Sequence, residues 1–188
     1  MFGFAAGRRP AHALARAAAI CGVALTLAGC VDTLGEARVA PVARQSIAAR
    51  EGVSPRGAAV ALVSIDGAPG ETAQRFAEAL KTESAAREIV FVEAAKARYH
   101  VRGYLAAYPG AEGVTVSYVW DVFDAGKRRA QRMSDELTVK AARAADPWAG
   151  LDEAALASAA GKSADDLAAF LSNTPEAVAA AKAAPAPA

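Results

Sequence analysis

Apolar and polar residues alternate over two long stretches in the middle of the chain. Every second residue from Tyr99 to Ala107 is apolar or glycine, and the same spacing recurs from Val114 to Val122. Because successive side chains of a strand point to opposite faces of a sheet, each stretch predicts a strand with one buried and one solvated face. Turn residues occupy 109–113, so the two strands are predicted to form a long hairpin. The predicted inner residues are Tyr99, Val101, Gly103, Leu105, Ala107, Val114, Val116, Tyr118, Trp120 and Val122.

Shorter apolar runs predict the elements around this hairpin. The run at 58–64 is bounded by glycines and predicts a buried strand. Apolar residues within 71–85 recur at i, i+3, i+4 and i+7, which predicts a helix with one apolar face. A second short run, 88–92, predicts another buried strand. The polar stretch 129–139 follows a tight turn and predicts an edge strand, whose arginines discourage pairing with a further chain.

Two helices are predicted near the C-terminus. Asp146 precedes a proline and has the residue type of an N-cap, so we expect a helix over 148–160 that ends at Gly161. Ser163 is predicted to cap the second helix, 164–172, in the manner of a capping box.

This element order predicts one small α+β domain over 58–173. Its sheet is expected to be mixed or antiparallel, built from a β-α-β unit followed by a β-meander, and covered by helices that include the two C-terminal ones. The preceding segment, 30–57, shows no sustained period and is interpreted as a flexible tether. The Ala- and Pro-rich segment 174–188 is predicted to be a disordered tail.

The first 29 residues have the pattern of a secretory signal peptide. Three arginines are followed by an apolar run of about a dozen residues, well below the roughly 20 that span a bilayer. The sequence Leu27-Ala28-Gly29-Cys30 resembles a bacterial lipobox. That resemblance implies cleavage between Gly29 and Cys30 and lipidation of the Cys30 thiol, which anchors the protein in a membrane. The alternative is an ordinary signal cut near Ala28, with Cys30 left as a free thiol.

The residue after the cysteine bears on which membrane holds the anchor. In the lipoproteins that this motif resembles, Asp directly after the cysteine favours the inner membrane. Here that position is Val31, and Asp32 comes one later. The resemblance therefore implies the periplasmic face of the outer membrane.

Charge and residue counts exclude several classes of function. The full chain has 21 basic and 20 acidic residues. Removing the signal's three arginines leaves 18 against 20, which offers no basic field for nucleic acid. Cys21 lies in the signal and Cys30 is the lipidation residue, so no disulfide is expected. The only other histidine besides His12 is His100, and we expect no metal site and no cofactor.

Residues 58–139 also resemble small envelope domains such as the N-terminal domain of the Tol translocation protein TolB. The resemblance is carried by Tyr99-His100-Val101-Arg102-Gly103 and by Tyr118-Val119-Trp120-Asp121-Val122-Phe123-Asp124. It implies a fold and transfers no functional residue.

Two polar groups are candidates for chemistry. Gly161-Lys162-Ser163 has the ending of a phosphate-binding loop, but Leu156 stands where that motif needs its first glycine, so a helix break is expected instead. Carboxylates lie near the second tight turn, and paired carboxylates hydrolyse glycosidic bonds when held at a fixed separation. They are Asp121, Asp124, Asp135 and Glu136, and the alternative is that they are solvated surface groups.

An interaction patch is predicted on the solvated face of the first hairpin strand. Its members are His100, Arg102, Tyr104 and Tyr108, and tyrosine and arginine are residue types that anchor interfaces. The alternative is that the terminal helices half cover this face.

These features lead to one functional hypothesis with two alternatives. The chain is expected to be a non-enzymatic, lipid-anchored periplasmic accessory protein that binds an envelope protein or glycan. One alternative is a cell-wall polymer hydrolase that uses the carboxylates around Asp121 and Asp124. The other is a structural lipoprotein with no specific partner.

Overall fold

The computed structural model describes residues 47–110, 112–141 and 144–184. The predicted signal peptide, Cys30 and the tether up to residue 46 lie outside the described residues. Short 3₁₀ turns occur at Pro55–Gly57, Ala94–Lys96 and Pro147–Gly150. The regular elements are β1 Val60–Asp66, α1 Gly70–Ala86, β2 Tyr99–Gly110, β3 Gly113–Asp124, β4 Arg129–Val139, α2 Glu153–Ser172 and α3 Pro175–Ala183.

The predicted α+β fold is confirmed, with a mixed four-stranded sheet in the order β1-β2-β3-β4. β1 runs parallel to β2, and α1 connects them, which forms the β-α-β unit. β2, β3 and β4 pair antiparallel in sequence order as the meander. β4 lies at one edge, as its polar sequence predicted.

The prediction of a separate strand over 88–92 is wrong. Within this segment only Phe91 forms an isolated bridge, to Val60. Glu88 adopts a left-handed backbone conformation with φ 59°, which turns the chain sharply after α1. The chain then enters the Ala94–Lys96 turn and reaches β2, so β2 supplies the second strand of the β-α-β unit.

The inner face of the sheet is the face predicted from the alternation. Val101 pairs with Val122 and Gly103 with Trp120 across the β2–β3 hairpin. The inner residues of β3, from Val114 to Val122, are all buried, and the indole of Trp120 is fully so. This face and the helices above it form the hydrophobic core.

Helices α1 and α2 cover the inner face. The ring of Phe76 in α1 stacks on that of Trp120 with centroids 6.4 Å apart. From α2, Leu156, Leu167 and Leu171 are buried in the same core. Two helices with complementary apolar faces thus bury the sheet on one side.

The predicted break at Gly161 is wrong, because α2 runs through it without interruption. Asp152 caps this helix by accepting a hydrogen bond from the Ala155 backbone N–H at 2.8 Å. Ser163 lies buried in the helix interior and caps nothing. Asp146 does act as a cap, but of the 3₁₀ turn Pro147–Gly150.

The prediction of a disordered tail is wrong for Pro175–Ala183, which form α3. Thr174 caps this helix, and Ala177 is fully buried. Glu176 accepts hydrogen bonds from Arg98 at 2.7 Å and from the Tyr99 hydroxyl at 2.8 Å. These hydrogen bonds connect α3 to the start of β2. Residues 185–188 lie outside the described residues.

The last part of the predicted tether also contacts the domain. Ile47 packs against the core, and the Arg50 backbone N–H donates a hydrogen bond to Ser172 Oγ at 2.9 Å. The globular domain therefore includes the described residues from 47 onward.

Candidate functional site

The structure places the predicted interaction patch on the outer face of the sheet, opposite the core. His100, Arg102 and Tyr104 alternate with buried residues along β2, and Tyr108 follows on the same face between half-buried Ala107 and exposed Pro109. Tyr104 and Tyr108 are each 41% exposed. The terminal helix α2 contributes its apolar side chains to the inner face, so the alternative that the terminal helices cover the patch is wrong.

Two patch residues have local hydrogen bonds that fix their side chains. The Tyr108 hydroxyl donates to Glu136 of β4 at 2.5 Å, and this bond raises the pKa of Tyr108 to about 12. His100 Nε2 lies 3.1 Å from the Ala94 carbonyl oxygen. The patch therefore presents an ordered tyrosine ring and an ordered imidazole, which lowers the entropic cost of binding a partner.

A buried carboxylate lies at the centre of the outer face. Asp121 is only 5% exposed. Its register partners are Arg102 on β2 and Arg132 on β4. Arg132 Nη1 lies 3.2 Å from its Oδ2, and Arg129 Nη1 lies 3.7 Å from its Oδ1. Asp121 thus lies between two arginines of β4 and forms an ion pair with each.

Asp124 lies at the β3–β4 turn and also forms an ion pair with an arginine. The Arg128 backbone N–H donates to its Oδ1 at 3.0 Å, and the Arg128 guanidinium contacts its Oδ2 at 2.9 Å. The backbone hydrogen bond is the main cause that lowers the pKa of Asp124 below 3.8. A glycosidase acid needs a raised pKa, so this environment disfavours that role.

The four candidate carboxylates do not converge on one site. Asp135 and Glu136 are neighbours in sequence but point to opposite faces of β4. Asp135 forms an ion pair with Lys162 of α2 at 2.5 Å, while Glu136 contacts Tyr108 on the outer face. Gly161-Lys162-Ser163 lies inside helix α2. Phosphate-binding loops instead connect a strand to the start of a helix.

A shallow cleft of about 420 Å³ opens on the outer face near the β3–β4 turn. Val63 and Phe123 form its apolar part, and Arg102 and Lys127 are its cationic residues. Sequence reasoning missed three of these four residues. Phe123 could have been found from the alternation of β3, because it is the register partner of His100. Val63 lies at an irregularity in the β1–β2 register, and the sequence carries no signal for it.

The described part of the chain lacks a metal cluster and a membrane-spanning helix. No group of three or more histidine, cysteine, aspartate or glutamate residues there is arranged to hold a metal ion. Among the described helices, none has the length and apolar character required to cross a membrane.

Comparison with protein-family models and with curated proteins finds no match. Solved structures give distant likenesses. A dodecameric PelC from Paraburkholderia phytofirmans is 14% identical with a TM-score of 0.43, over 68% of this chain and 93% of that one. Protein XCC0632 from Xanthomonas campestris, described as DUF330, is 10% identical with a TM-score of 0.44, over 70% and 92%. Lipoprotein GNA1162 from Neisseria meningitidis is 9% identical with a TM-score of 0.35, over 44% and 81%. Likenesses this distant carry no argument about the function of this chain.

Proposed function

We propose that this chain is a lipid-anchored accessory protein of the bacterial cell envelope that binds an envelope protein or glycan. The anchor is the diacylated Cys30 in the periplasmic face of the outer membrane. The binding element is the outer face of the sheet. The observation that carries the binding role is a row of exposed aromatic and basic side chains on a face that the core does not use.

Several features of this face support binding rather than catalysis. Asp121 and Asp124 each form ion pairs with arginines, and the backbone and side-chain hydrogen bonds of Arg128 lower the pKa of Asp124. Tyr104 and Tyr108 offer apolar ring faces with polar ends, which is the character of residues that dominate binding energy at interfaces. Their exposure is not required for folding, since the core lies on the other side of the sheet.

The anchor is tested by the variant Cys30→Ser. It should keep its signal segment and carry no lipid mass, because the resemblance implies that both cleavage and anchoring depend on the modified Cys30 thiol. Intact mass of the purified wild-type protein should show lipid on Cys30. A wild-type mature protein without lipid mass would contradict the proposal.

The binding role is tested by pull-down from envelope extract with the full chain as bait. We expect one or more components to be enriched by the wild type and lost with the double variant Tyr104→Ser, Tyr108→Ser. The matched control is Lys81→Gln, an exposed residue of α1 beyond the core. Enrichment that is equal for all three baits, or absent for the wild type, would overturn the role.

A further inference from the structure

The end of the outer face near the β3–β4 turn carries an excess of positive charge. Three basic residues there contact acidic partners: Arg128 pairs with Asp124, whereas Arg129 and Arg132 share Asp121. Two more, Arg102 and Lys127, line the cleft beside the Asp124 carboxylate that pairs with Arg128. Five basic residues therefore face two carboxylates, in a mature chain whose total charge is close to neutral.

Arg102 and Lys127 differ from their neighbours in having no acidic partner. Within the described residues, neither forms an ion pair or a side-chain hydrogen bond with a carboxylate, whereas Arg128, Arg129 and Arg132 all form ion pairs. Arg102 is exposed, and the carboxylate of its register partner Asp121 pairs instead with Arg129 and Arg132 of β4. The cleft thus has two cations available to an anion from outside.

The same cleft offers apolar contact beside those cations. Val63 is 46% exposed, and the side chain of Phe123 lines the cleft with it. An exposed aliphatic and an aromatic side chain next to two cations match a ligand that joins a carboxylate to an apolar group. A simple inorganic anion would leave the apolar part unused.

The surface that contains the cleft is elongated. From His100 to Tyr108 the patch follows β2 for roughly 27 Å, at about 3.4 Å per residue. Such a track suits an extended chain that places one side chain after another on Arg102, Tyr104 and Tyr108. An extended polypeptide also supplies aromatic or aliphatic side chains for Val63 and Phe123, which the hydroxyl-rich backbone of an acidic glycan does not.

We infer that this face takes an acidic, extended segment of a partner protein, with carboxylates on Arg102 and Lys127 and an apolar side chain in the cleft beside Val63 and Phe123. The inference rests on the proposed binding role and specifies its ligand. Charge complementarity gives it a defined dependence on salt, because exposed ion pairs are screened as the ionic strength rises.

The test uses the full chain in detergent micelles and a displayed library of random short peptides. Wild-type protein should enrich peptides that carry two or more acidic residues near an aromatic or large aliphatic residue. Their affinity should fall by about tenfold or more in the double variant Arg102→Gln, Lys127→Gln, and fall again with added salt. The control Lys81→Gln, which removes one positive charge from α1, should bind as the wild type does.

The outcomes separate this inference from the broader binding role. The enriched peptides could instead lack acidic residues and lose affinity with Tyr104→Ser but not with Arg102→Gln, Lys127→Gln. That result would support the binding face but overturn the acidic ligand. Alternatively, no peptide is enriched, and a polyuronate such as polygalacturonate binds the wild type but not the double variant Arg102→Gln, Lys127→Gln. That result would show that the two cations bind a glycan, and it would overturn the acidic peptide ligand. If neither probe binds, the acidic ligand is overturned, and the pull-down with Tyr104→Ser and Tyr108→Ser decides the binding role independently.

Discussion

Gly103 lies directly against the indole ring of Trp120, its register partner on β3. A β-carbon on Gly103 would fall 2.4 Å from Trp120 Cζ3. This distance is too short for any non-bonded carbon pair, so the large ring is accommodated by the missing side chain on the neighbouring strand. The centre of the core depends on this pairing of the smallest residue with the largest.

Gly103→Ala should therefore lower the free energy of unfolding by about 1 to 3 kcal/mol, because the ring must move within a close-packed core. Trp120→Ala should cost about 3 to 5 kcal/mol by leaving a cavity. Urea unfolding followed by circular dichroism measures both. A Gly103→Ala protein as stable as the wild type would mean that Trp120 does not pack over Gly103.

Asp166 should make the domain less stable as the pH rises. The Tyr118 hydroxyl donates to its carboxylate at 2.6 Å, but burial is the larger effect and raises the pKa of Asp166 above 3.8. The folded state then holds this proton more tightly than the unfolded chain does. Stability from this group is present below pH 3.8 and is lost as the pH rises through the raised pKa.

Asp166→Asn removes that titration and keeps an oxygen for the Tyr118 hydroxyl. The free energy of unfolding of the variant minus that of the wild type should be larger at about pH 7 than at about pH 3. Urea unfolding at both pH values provides the measurement, and Glu78→Gln on the exposed side of α1 is the control. A difference between variant and wild type that is the same at both pH values would contradict the raised pKa.

Gly161→Ala distinguishes one continuous α2 from two helices. Within a helix, alanine is favoured over glycine by about 0.5 to 1 kcal/mol, so we expect stability to rise by that amount. The new β-carbon would lie 3.3 Å from Glu83 Oε2, the end of a flexible side chain that can shift. As a control, Gly52→Ala should be destabilising, since Gly52 has φ +70°. A clear loss of stability in Gly161→Ala would indicate a helix break at that residue.

Removing α3 should destabilise the domain. A chain that ends after Thr174 loses the buried Ala177 and both hydrogen bonds of Glu176, to Arg98 and to Tyr99. We expect a loss of about 1 to 3 kcal/mol in urea unfolding. A chain that ends after Ala184 keeps all of α3 and is the control. Equal unfolding midpoints for the two truncated chains would show that α3 does not contribute to the domain.

The elements that the sequence predicts well are those with a strict period and one buried face. The alternation from Tyr99 to Val122 defines the inner residues of the hairpin because a one-residue slip would expose all of them. The helix α1 follows for the same reason, since its apolar residues form a single face. Local pattern and tertiary burial agree in these segments.

Sequence reasoning fails where tertiary contacts override local preference. Gly161 has the residue type of a helix end, yet the neighbouring helix α1 and the buried residues around it keep α2 continuous. The run 88–92 is apolar enough for a strand, but the left-handed Glu88 turns the chain and leaves a single bridge at Phe91. The alanine-rich tail carries little periodic signal. Thr174 supplies a local cap, but Glu176 stabilises α3 through hydrogen bonds to Arg98 and Tyr99 that only the fold creates.

The candidate site was predictable only in part. The patch of His100, Arg102, Tyr104 and Tyr108 follows from alternation along one strand. The burial of Asp121 between arginines depends on the register of three strands, and the cleft depends in addition on an irregularity in β1. Such cross-strand relationships are absent from any single segment of sequence.

The outer face of the sheet is proposed to contact another envelope component. This contact can be tested with a photoreactive phenylalanine derivative placed at Tyr104 in living cells, with the same group at Lys81 on α1 as the control. We predict a discrete crosslinked adduct from position 104, weakened by Arg102→Gln, and none from position 81. No adduct from position 104, or the same adducts from both positions, would show that this face does not bind a specific envelope component.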